Sequence, residues 1–239
     1  MKKRPKKSIL LLLGYLLVLM IVFKVFALKA DQYSASKKED IYSHQSIPLK
    51  DEFHHIRIEG NGAHSINIEI QKSTGASELD GYRINQVITY RYSGDTLILT
   101  NTLSEDYQSI NLLVSHPIES IIARNSLLNM ASDILASEKN IYIECTEVDE
   151  SRTNNARIQF VGNDIQSIQM RLRRCSMHMY PGVQAGQIGS MEFDAKDSDV
   201  EFDAQLSGLP MHMIFKTDEQ TTLKAPSYVL QRMQLMVQN

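Results

Sequence analysis

Two stretches of this chain share one pattern of apolar and polar residues, displaced by 23 positions. Residues 165–179 read I-Q-S-I-Q-M-R-L-R-R-C-S-M-H-M, and residues 188–202 read I-G-S-M-E-F-D-A-K-D-S-D-V-E-F. The apolar pairs are Ile168–Met191, Met170–Phe193, Leu172–Ala195, Met177–Val200 and Met179–Phe202. Alternation with a period of two predicts half-buried β-strands. A constant displacement of roughly 20–25 residues is typical of a β-solenoid, in which each repeat forms one rung.

The repeat also predicts a register. Stacked rungs place residue n beside residue n + 23 on a parallel strand about 4.8 Å away. Met170, Leu172 and Met177 should then stack inside on their partners, with the methionines filling the core rather than binding copper or another metal. The corners should lie at residues 173–174 and 196–197. Outside, the predicted pairs are Gln169–Glu192, Arg171–Asp194 and His178–Glu201.

The rest of the body shows the same class of pattern. Ile66, Ile68 and Ile70 alternate with polar residues, and no helical period of ten or more residues occurs between Phe53 and Pro226. A looser copy of the repeat begins at Ile118, 47 positions before residue 165, which corresponds to about two rungs. The body is therefore expected to be all-β.

The N-terminus has the features of a membrane anchor. Residues 8–28 form an almost unbroken apolar run, interrupted by Lys24, that is long enough to cross roughly 30 Å of hydrocarbon. The basic residues 2–7 should stay in the cytoplasm, which places the body outside. A signal peptide cleaved after Ala30 is the alternative. We expect a single-pass protein of the bacterial inner membrane with a periplasmic body, or a secreted body if cleavage occurs.

These patterns divide the chain into five parts. We expect a basic cytoplasmic N-terminus (1–7), a transmembrane signal anchor (8–28), a flexible spacer (29–50), a β-solenoid domain (51–225) and a C-terminal cap (226–239). Within the cap, residues 228–234 could form a short helix and residues 235–237 a strand.

Charge argues against nucleic acid as a partner. Seven of the 25 basic residues lie within residues 1–30 and all 28 acidic residues lie after residue 30, so the part of the chain after residue 30 carries a formal charge of −10. An acidic surface repels phosphate backbones.

Cys145 and Cys175 are the only cysteines. In an oxidising compartment they could form a disulfide, or they could be two buried thiols acting as small core residues. Their spacing to histidines and to each other is not that of a zinc site.

Three segments resemble the opening of the auto-transporter adhesin head GIN domain family, namely residues 53–62, 66–70 and 94–99. The resemblance implies a right-handed, single-stranded parallel β-helix over residues 51–225. It also implies a secreted or surface protein of the kind common in Bacteroidetes, and it supplies no catalytic residues. This chain differs from the family pattern in its N-terminal anchor and in its glycine-poor rungs.

No residues form a recognised catalytic, cofactor-binding or metal-binding motif. The densest acidic group consists of Glu192, Asp194, Asp199 and Glu201, which alternation places outward on successive strands of one rung. It could be a Ca²⁺ or glycan site or an acid/base pair, or an ordinary solvated face. His54, His55, His178 and His212 are interpreted as surface residues.

The sequence thus predicts a non-enzymatic, adhesin-like binding or scaffolding module in the cell envelope, without a cofactor. Its partners would be the membrane and an envelope protein or glycan. A polysaccharide lyase, hydrolase or polysaccharide-binding protein on a β-helix is the alternative, and the oligomeric state stays open.

Overall fold

The structure is a computed structural model. It describes residues 19–20, 22–27, 29, 44–50, 52–60, 66–102, 109–147, 154–162, 164–182, 186–205, 209–210 and 212–237. The chain divides into two compact units, residues 1–43 and residues 44–239.

In the first unit, the described residues 19–20, 22–27 and 29 are helical. Most of the predicted anchor, including residues 8–18, lies outside the described residues, as do residues 30–43 of the predicted spacer. Among the residues that are described, no helix is both long enough and apolar enough to cross a membrane.

The second unit is built from strands, which confirms the all-β class. The strands are β1 His44–Pro48, β2 His55–Glu59, β3 Ile66–Lys72, β4 Glu78–Tyr82, β5 Ile88–Ser93, β6 Thr96–Asn101, β7 Ser109–Val114, β8 Ser120–Arg124, β9 Ser126–Ala131, β10 Asn140–Thr146, β11 Asn154–Phe160, β12 Ile165–Arg173, β13 Cys175–Pro181, β14 Ile188–Lys196, β15 Asp199–Phe202, β16 Met213–Thr217, β17 Thr222–Lys224 and β18 Met233–Val237. The helices are single turns: α1 Ile84–Val87, a 3₁₀ turn Ser132–Ile134 and α2 Ser227–Leu230.

The strands form two nine-stranded sheets. Sheet A has the order β1-β4-β7-β3-β9-β11-β13-β15-β17, and sheet B has the order β18-β16-β14-β12-β10-β8-β2-β6-β5. From β8 onward, consecutive strands alternate between the two sheets, and each pairs in parallel with the strand two places along the chain. One rung therefore contributes one strand to each sheet.

The repeat between residues 165–179 and 188–202 has the predicted register. Strands β12 and β14 place Met170 beside Phe193 and Arg171 beside Asp194, and β13 and β15 place His178 beside Glu201. The remaining predicted pairs are also confirmed: Gln169–Glu192, Leu172–Ala195 and Met177–Val200.

The earlier rungs depart from a constant length. Ser120 pairs with Tyr142, and Tyr142 pairs with Gln169, so a short rung is followed by a long one. The predicted displacement of 47 residues would instead align Ser120 with Ser167, two rungs later in the chain. The prediction was wrong because it averaged two rungs whose connections differ in length.

The N-terminal part of the body is not wholly parallel, unlike the predicted uniform β-helix. Strand β4 runs antiparallel to both β1 and β7, and β5 runs antiparallel to β6. A two-residue turn joins β5 to β6, and Gly94 in it has φ 63°, a conformation that favours glycine. So short a connection permits only an antiparallel hairpin. Because each sheet contains antiparallel as well as parallel pairs, both sheets are mixed.

Strands also extend the body at both ends. Residues 44–48 of the predicted spacer form β1, and the adjacent Leu49 is buried, which anchors this segment to the body. Within residues 226–239, the helix ends at Leu230, earlier than the predicted end at residue 234, and β18 starts at Met233 and pairs with β16.

The space between the sheets is filled with aliphatic, methionine and phenylalanine side chains. Phe193 is fully buried, 5.2 Å from the ring of Phe215 and 5.7 Å from that of Phe202. Methionines 170, 177, 179, 191 and 213 are also buried, which confirms that the methionine stripe is core. Burying each such side chain stabilises the fold by roughly 1.5–3 kcal/mol.

Residues with a left-handed backbone conformation (positive φ) form the corners between the sheets. Arg174 (φ 50°) and Asp197 (φ 47°) lie at the two predicted corners, at equivalent positions of the repeat. In the next rung, the Asp218 carboxylate accepts hydrogen bonds from the Asp197 backbone N–H (3.1 Å) and from the Thr221 hydroxyl (2.7 Å). Burial alone would raise the pKa of Asp218, but these and further backbone hydrogen bonds outweigh it and lower the pKa.

We predict that Asp218→Asn destabilises the corner. At neutral pH, loss of the charge-assisted hydrogen bonds should lower the free energy of unfolding by about 1 kcal/mol. Because folding lowers the pKa of this carboxyl, its contribution is present above the unfolded pKa and disappears as the pH falls through the folded pKa. The difference from wild type in urea unfolding should therefore be smaller at pH ~3 than at pH 7.

The matched control is Glu219→Gln, which removes a neighbouring exposed carboxylate. Its unfolding midpoint should follow that of wild type at both pH values. An equal loss in the two variants, or a loss for Asp218→Asn that persists at low pH, would contradict the assignment.

Candidate functional site

The structure divides the predicted acidic face between two surfaces. Glu192 and Asp194 lie on β14 in sheet B, whereas Asp199 and Glu201 lie on β15 in sheet A. All four lie at partly or fully exposed positions, as alternation predicts. They do not form one cluster, because consecutive strands of a rung belong to different sheets.

The two acids on sheet B pair with basic residues of neighbouring rungs. Glu192 lies 2.5 Å from the Lys216 ammonium, and Asp194 lies 2.6 Å from the Arg173 guanidinium. The hydrogen bond with Glu192 raises the pKa of Lys216. These contacts are ladder pairs between neighbouring strands.

On sheet A, the Asp199 carboxylate accepts a hydrogen bond from the Thr222 hydroxyl. Glu201 is exposed, between His178 on one neighbouring strand and Lys224 on the other. Within the described residues, no group of three or more histidine, cysteine or acidic residues has a geometry that could hold a metal ion.

A groove of about 290 Å³ lies on the outer face of sheet A, near the C-terminal ends of four neighbouring strands. Strands β3, β9, β11 and β13 supply most of its walls. The lining residues are Glu69, Ile70, Gln71, Lys72, Asn129, Met130, Ala131, Asp133, Gln159 and Tyr180.

A short side chain explains the depression. Ala131 on β9 pairs with Gln159 on β11, which pairs with Tyr180 on β13. On the other side of Ala131, its neighbour on β3 is Gln71, because the preceding residues Ile70 and Met130 are paired. The outward row thus runs from long to short to long side chains, and the methyl group of Ala131 forms the floor.

Two hydrogen bonds organise one wall of the groove. The Gln71 amide donates to Glu69 Oε1 at 2.6 Å, and the Asn129 amide donates to Asn67 Oδ1 at 3.0 Å. These contacts hold polar side chains in fixed positions along β3 and β9.

The groove also offers polar groups that the protein itself does not use. Across the described part of the chain, the Lys72 ammonium, the Gln159 amide and the Tyr180 hydroxyl have no hydrogen-bond partner. The Tyr180 ring lies 5.7 Å from the His178 ring at an interplanar angle of 41°. A ligand in the groove would therefore meet unused donors and acceptors beside an aromatic ring.

The described lining combines amide, amine, phenol and carboxylate side chains. The described residues around the groove include three amides, one amine, one phenol and two carboxylates, but no serine, threonine, cysteine or histidine. A hydroxyl or thiol nucleophile paired with a histidine base is consequently absent from these described lining residues. The carboxylates of Glu69 and Asp133 are the groups that could perform acid/base chemistry.

Sequence reasoning missed this groove. The signal that could have found it is a small residue flanked in register by long polar ones, but the register is irregular here. The constant displacement of the later rungs would place Ala131 beside Asn154 and Gln159 beside Gly182. The observed partners are Gln159 and Tyr180, because a long rung is followed by a short one.

No protein-family model matches the chain, and no curated protein matches it. Three solved structures resemble it at low identity. A candidate adhesin of Bacteroides fragilis is 14% identical, covering 82% of this chain and 94% of that chain, with a TM-score of 0.40. One from Parabacteroides merdae is 12% identical, covering 76% and 79%, with a TM-score of 0.41. One from Parabacteroides distasonis is 7% identical, covering 82% and 94%, with a TM-score of 0.37.

Proposed function

We propose that the chain is a non-enzymatic, adhesin-like binding module of the bacterial cell envelope, and that its ligand is a glycan held in the groove on sheet A. The observation that carries the proposal is the groove above Ala131, which is lined by Lys72, Gln159 and Tyr180, whose side-chain polar groups have no partner among the described residues.

The chemistry of the groove favours a hydroxyl-rich ligand. Amide side chains both donate and accept hydrogen bonds, so they complement hydroxyl groups, which do the same. The Tyr180 ring offers an apolar surface with a polar tip, the combination that suits the face of a sugar ring. A volume of about 290 Å³ is at the small end of the range for ligand sites, and fits a short stretch of glycan rather than a folded protein surface.

The body that presents the groove is, in this proposal, a right-handed parallel β-helix from β8 onward. Alternation of successive strands between two sheets, with parallel pairing inside each sheet, supports a continuous winding. Crossovers between parallel strands of one sheet are right-handed in about 98% of cases.

The proposed location is the periplasmic side of the inner membrane, with residues 8–28 as an uncleaved anchor. The support is the sequence, in which basic residues precede a long apolar run. Such a tether would keep the body close to envelope polymers.

A second candidate function is cleavage of a polysaccharide, either as a hydrolase or as a lyase. The observation that favours it is the presence of two carboxylates, Glu69 and Asp133, in the lining of the same groove. Paired carboxylates are the usual catalytic groups for glycoside cleavage.

We predict that Ala131→Leu weakens glycan binding. A leucine would fill the groove above residue 131, and steric exclusion should weaken binding at least about tenfold, equivalent to roughly 1.4 kcal/mol. Detergent-solubilised full-length chain would be titrated calorimetrically with soluble peptidoglycan fragments and a panel of bacterial oligosaccharides. The control is Ser190→Leu at an exposed position of β14 on the other sheet, which should bind like wild type.

A milder pair of variants tests the polar contacts. Gln159→Ala should weaken binding severalfold, whereas Gln169→Ala, on the outer face of β12 in sheet B, should not change it. Equal affinities for wild type, Ala131→Leu and Gln159→Ala would contradict the groove as the site, and so would the absence of binding to every saccharide. Release of shortened saccharides that is lost in Glu69→Gln would instead establish the enzymatic alternative.

We also predict that the full-length chain is retained in the inner membrane at its uncleaved mass. Carbonate washing should not release it, because about 20 apolar residues in hydrocarbon bind far more strongly than a surface contact. Proteinase K added to spheroplasts should digest the body. The control lacks residues 8–28 and should stay soluble in the cytoplasm, protected from the protease. A soluble mature chain that begins at Asp31 would contradict the anchor.

A further inference from the structure

The two cysteines of the chain face the core near the same corner between the sheets. Cys145 lies on β10 in sheet B and Cys175 lies on β13 in sheet A. Both thiols are free, and the residues are only 1% and 2% exposed. Their side chains point inward from opposite sheets, and one complete rung, β11 and β12, separates them along the chain.

The strand register brings both cysteines to this corner. Cys145 pairs with Leu172 of the neighbouring strand β12. The chain then turns the corner at Arg174, which has φ 50°, and Cys175 is the first residue of β13. Cys175 therefore enters the core just around the corner from the residue beside Cys145, so both buried thiols lie at this corner. The Cys175 thiol donates a hydrogen bond to the Ser176 carbonyl oxygen at 3.7 Å.

Backbone contacts fix this corner. The Glu147 N–H donates to the Arg173 carbonyl oxygen at 3.0 Å, and the Arg174 guanidinium donates to the Glu147 carbonyl oxygen at 3.0 Å. The Cys175 N–H donates to the Ser198 hydroxyl at 3.2 Å. The residues around the thiols are thus held by both neighbouring rungs, which preserves the approach of the two sulfur atoms.

We propose that Cys145 and Cys175 form an intramolecular disulfide that joins sheet A to sheet B, made while the chain folds outside the cytoplasm. The oxidant is a disulfide, either of a small thiol or of an oxidised dithiol protein. One cysteine thiolate attacks the oxidant's sulfur and expels its partner thiolate. The second cysteine thiolate then attacks the mixed disulfide. The protein loses two electrons and two protons, and the oxidant is reduced to its two thiols.

The state of the folded thiols explains why the bond must form during folding. The Cys145 thiol raises the pKa of Cys175, burial raises it further, and so does the nearby Glu147 carboxylate. The backbone N–H of Ala156 opposes these effects only in part. Since the thiolate is the reactive species, a chain that has already folded with both thiols reduced should resist oxidation.

The decisive experiment is refolding in two orders. Full-length protein in detergent would be unfolded with guanidinium and a reductant, then refolded in a buffer of oxidised and reduced glutathione. A second sample would be refolded with reductant and exposed to the same buffer afterwards. Both would be unfolded again, alkylated and weighed. We expect the first sample to carry no alkyl groups and one cross-linked peptide with Cys145 and Cys175, and the second to carry two alkyl groups.

Heat stability gives an independent readout. The bridged sample should melt roughly 5–10 °C above the same sample treated with reductant, because the bond closes the loop from Cys145 to Cys175 in the unfolded chain. Cys145→Ala and Cys175→Ala should lose this reductant-dependent shift, whatever their own melting temperatures. Two alkyl groups after oxidative refolding, or a persistent glutathione adduct in place of the bridge, would overturn the proposal.

The cellular part of the inference rests on the proposed extracytoplasmic location. Trapping of thiols in intact cells with acid and alkylating reagent separates the two proposals. A bridged chain in cells supports both. A chain that bridges on refolding but is fully alkylated in cells overturns bridge formation in cells and contradicts the location, while the refolding result still supports the geometry.

Discussion

In-register stacking of parallel strands is the constraint on which the body of this protein depends. Each inward side chain lies in a row and must fit the residue one rung before and one rung after it. Phe193 lies between Met170 and Phe215, with its ring 5.2 Å from that of Phe215. A substitution in one rung therefore alters the packing against the rungs before and after it, as expected for a structure whose contacts are mainly between neighbours. Flexible methionines tolerate the small misfits between unequal rungs.

The same constraint determines what the charged residues do. Once Met170 and Phe193 are in register, Arg171 and Asp194 are also in register on the outer face. Asp194 is then flanked by Arg171 and Lys216 on its two neighbouring strands and contacts Arg173 directly. Opposite charges on adjacent strands stabilise the pairing by roughly 0.2–1 kcal/mol at such exposed sites. The acidic residues that looked like a cluster in the sequence belong to two separate ladders.

The C-terminal rungs could be predicted from the sequence because their period is constant. Apolar alternation located β12 to β15, and the repeat displacement gave their pairing and both corners. The N-terminal part could not be predicted in the same way. Strand β2 pairs with β8, with the β5–β6 hairpin and several other strands between them in the chain. A local period contains no information about such distant partners, since register there depends on packing and loop length.

The groove exists because the rungs differ in length, and the same difference prevented its prediction from the sequence. A solenoid with identical rungs presents flat rows of similar side chains, and a flat row has no cavity. Between β9 and β13, a long rung followed by a short one brings Ala131 between longer side chains of unrelated sequence positions. The floor of the groove is therefore set by strand register, whereas its chemistry is set by Gln159, Tyr180 and Lys72. Regular rungs supply the frame, and a small residue in an uneven pair of rungs gives that frame the groove in which the proposed glycan would lie.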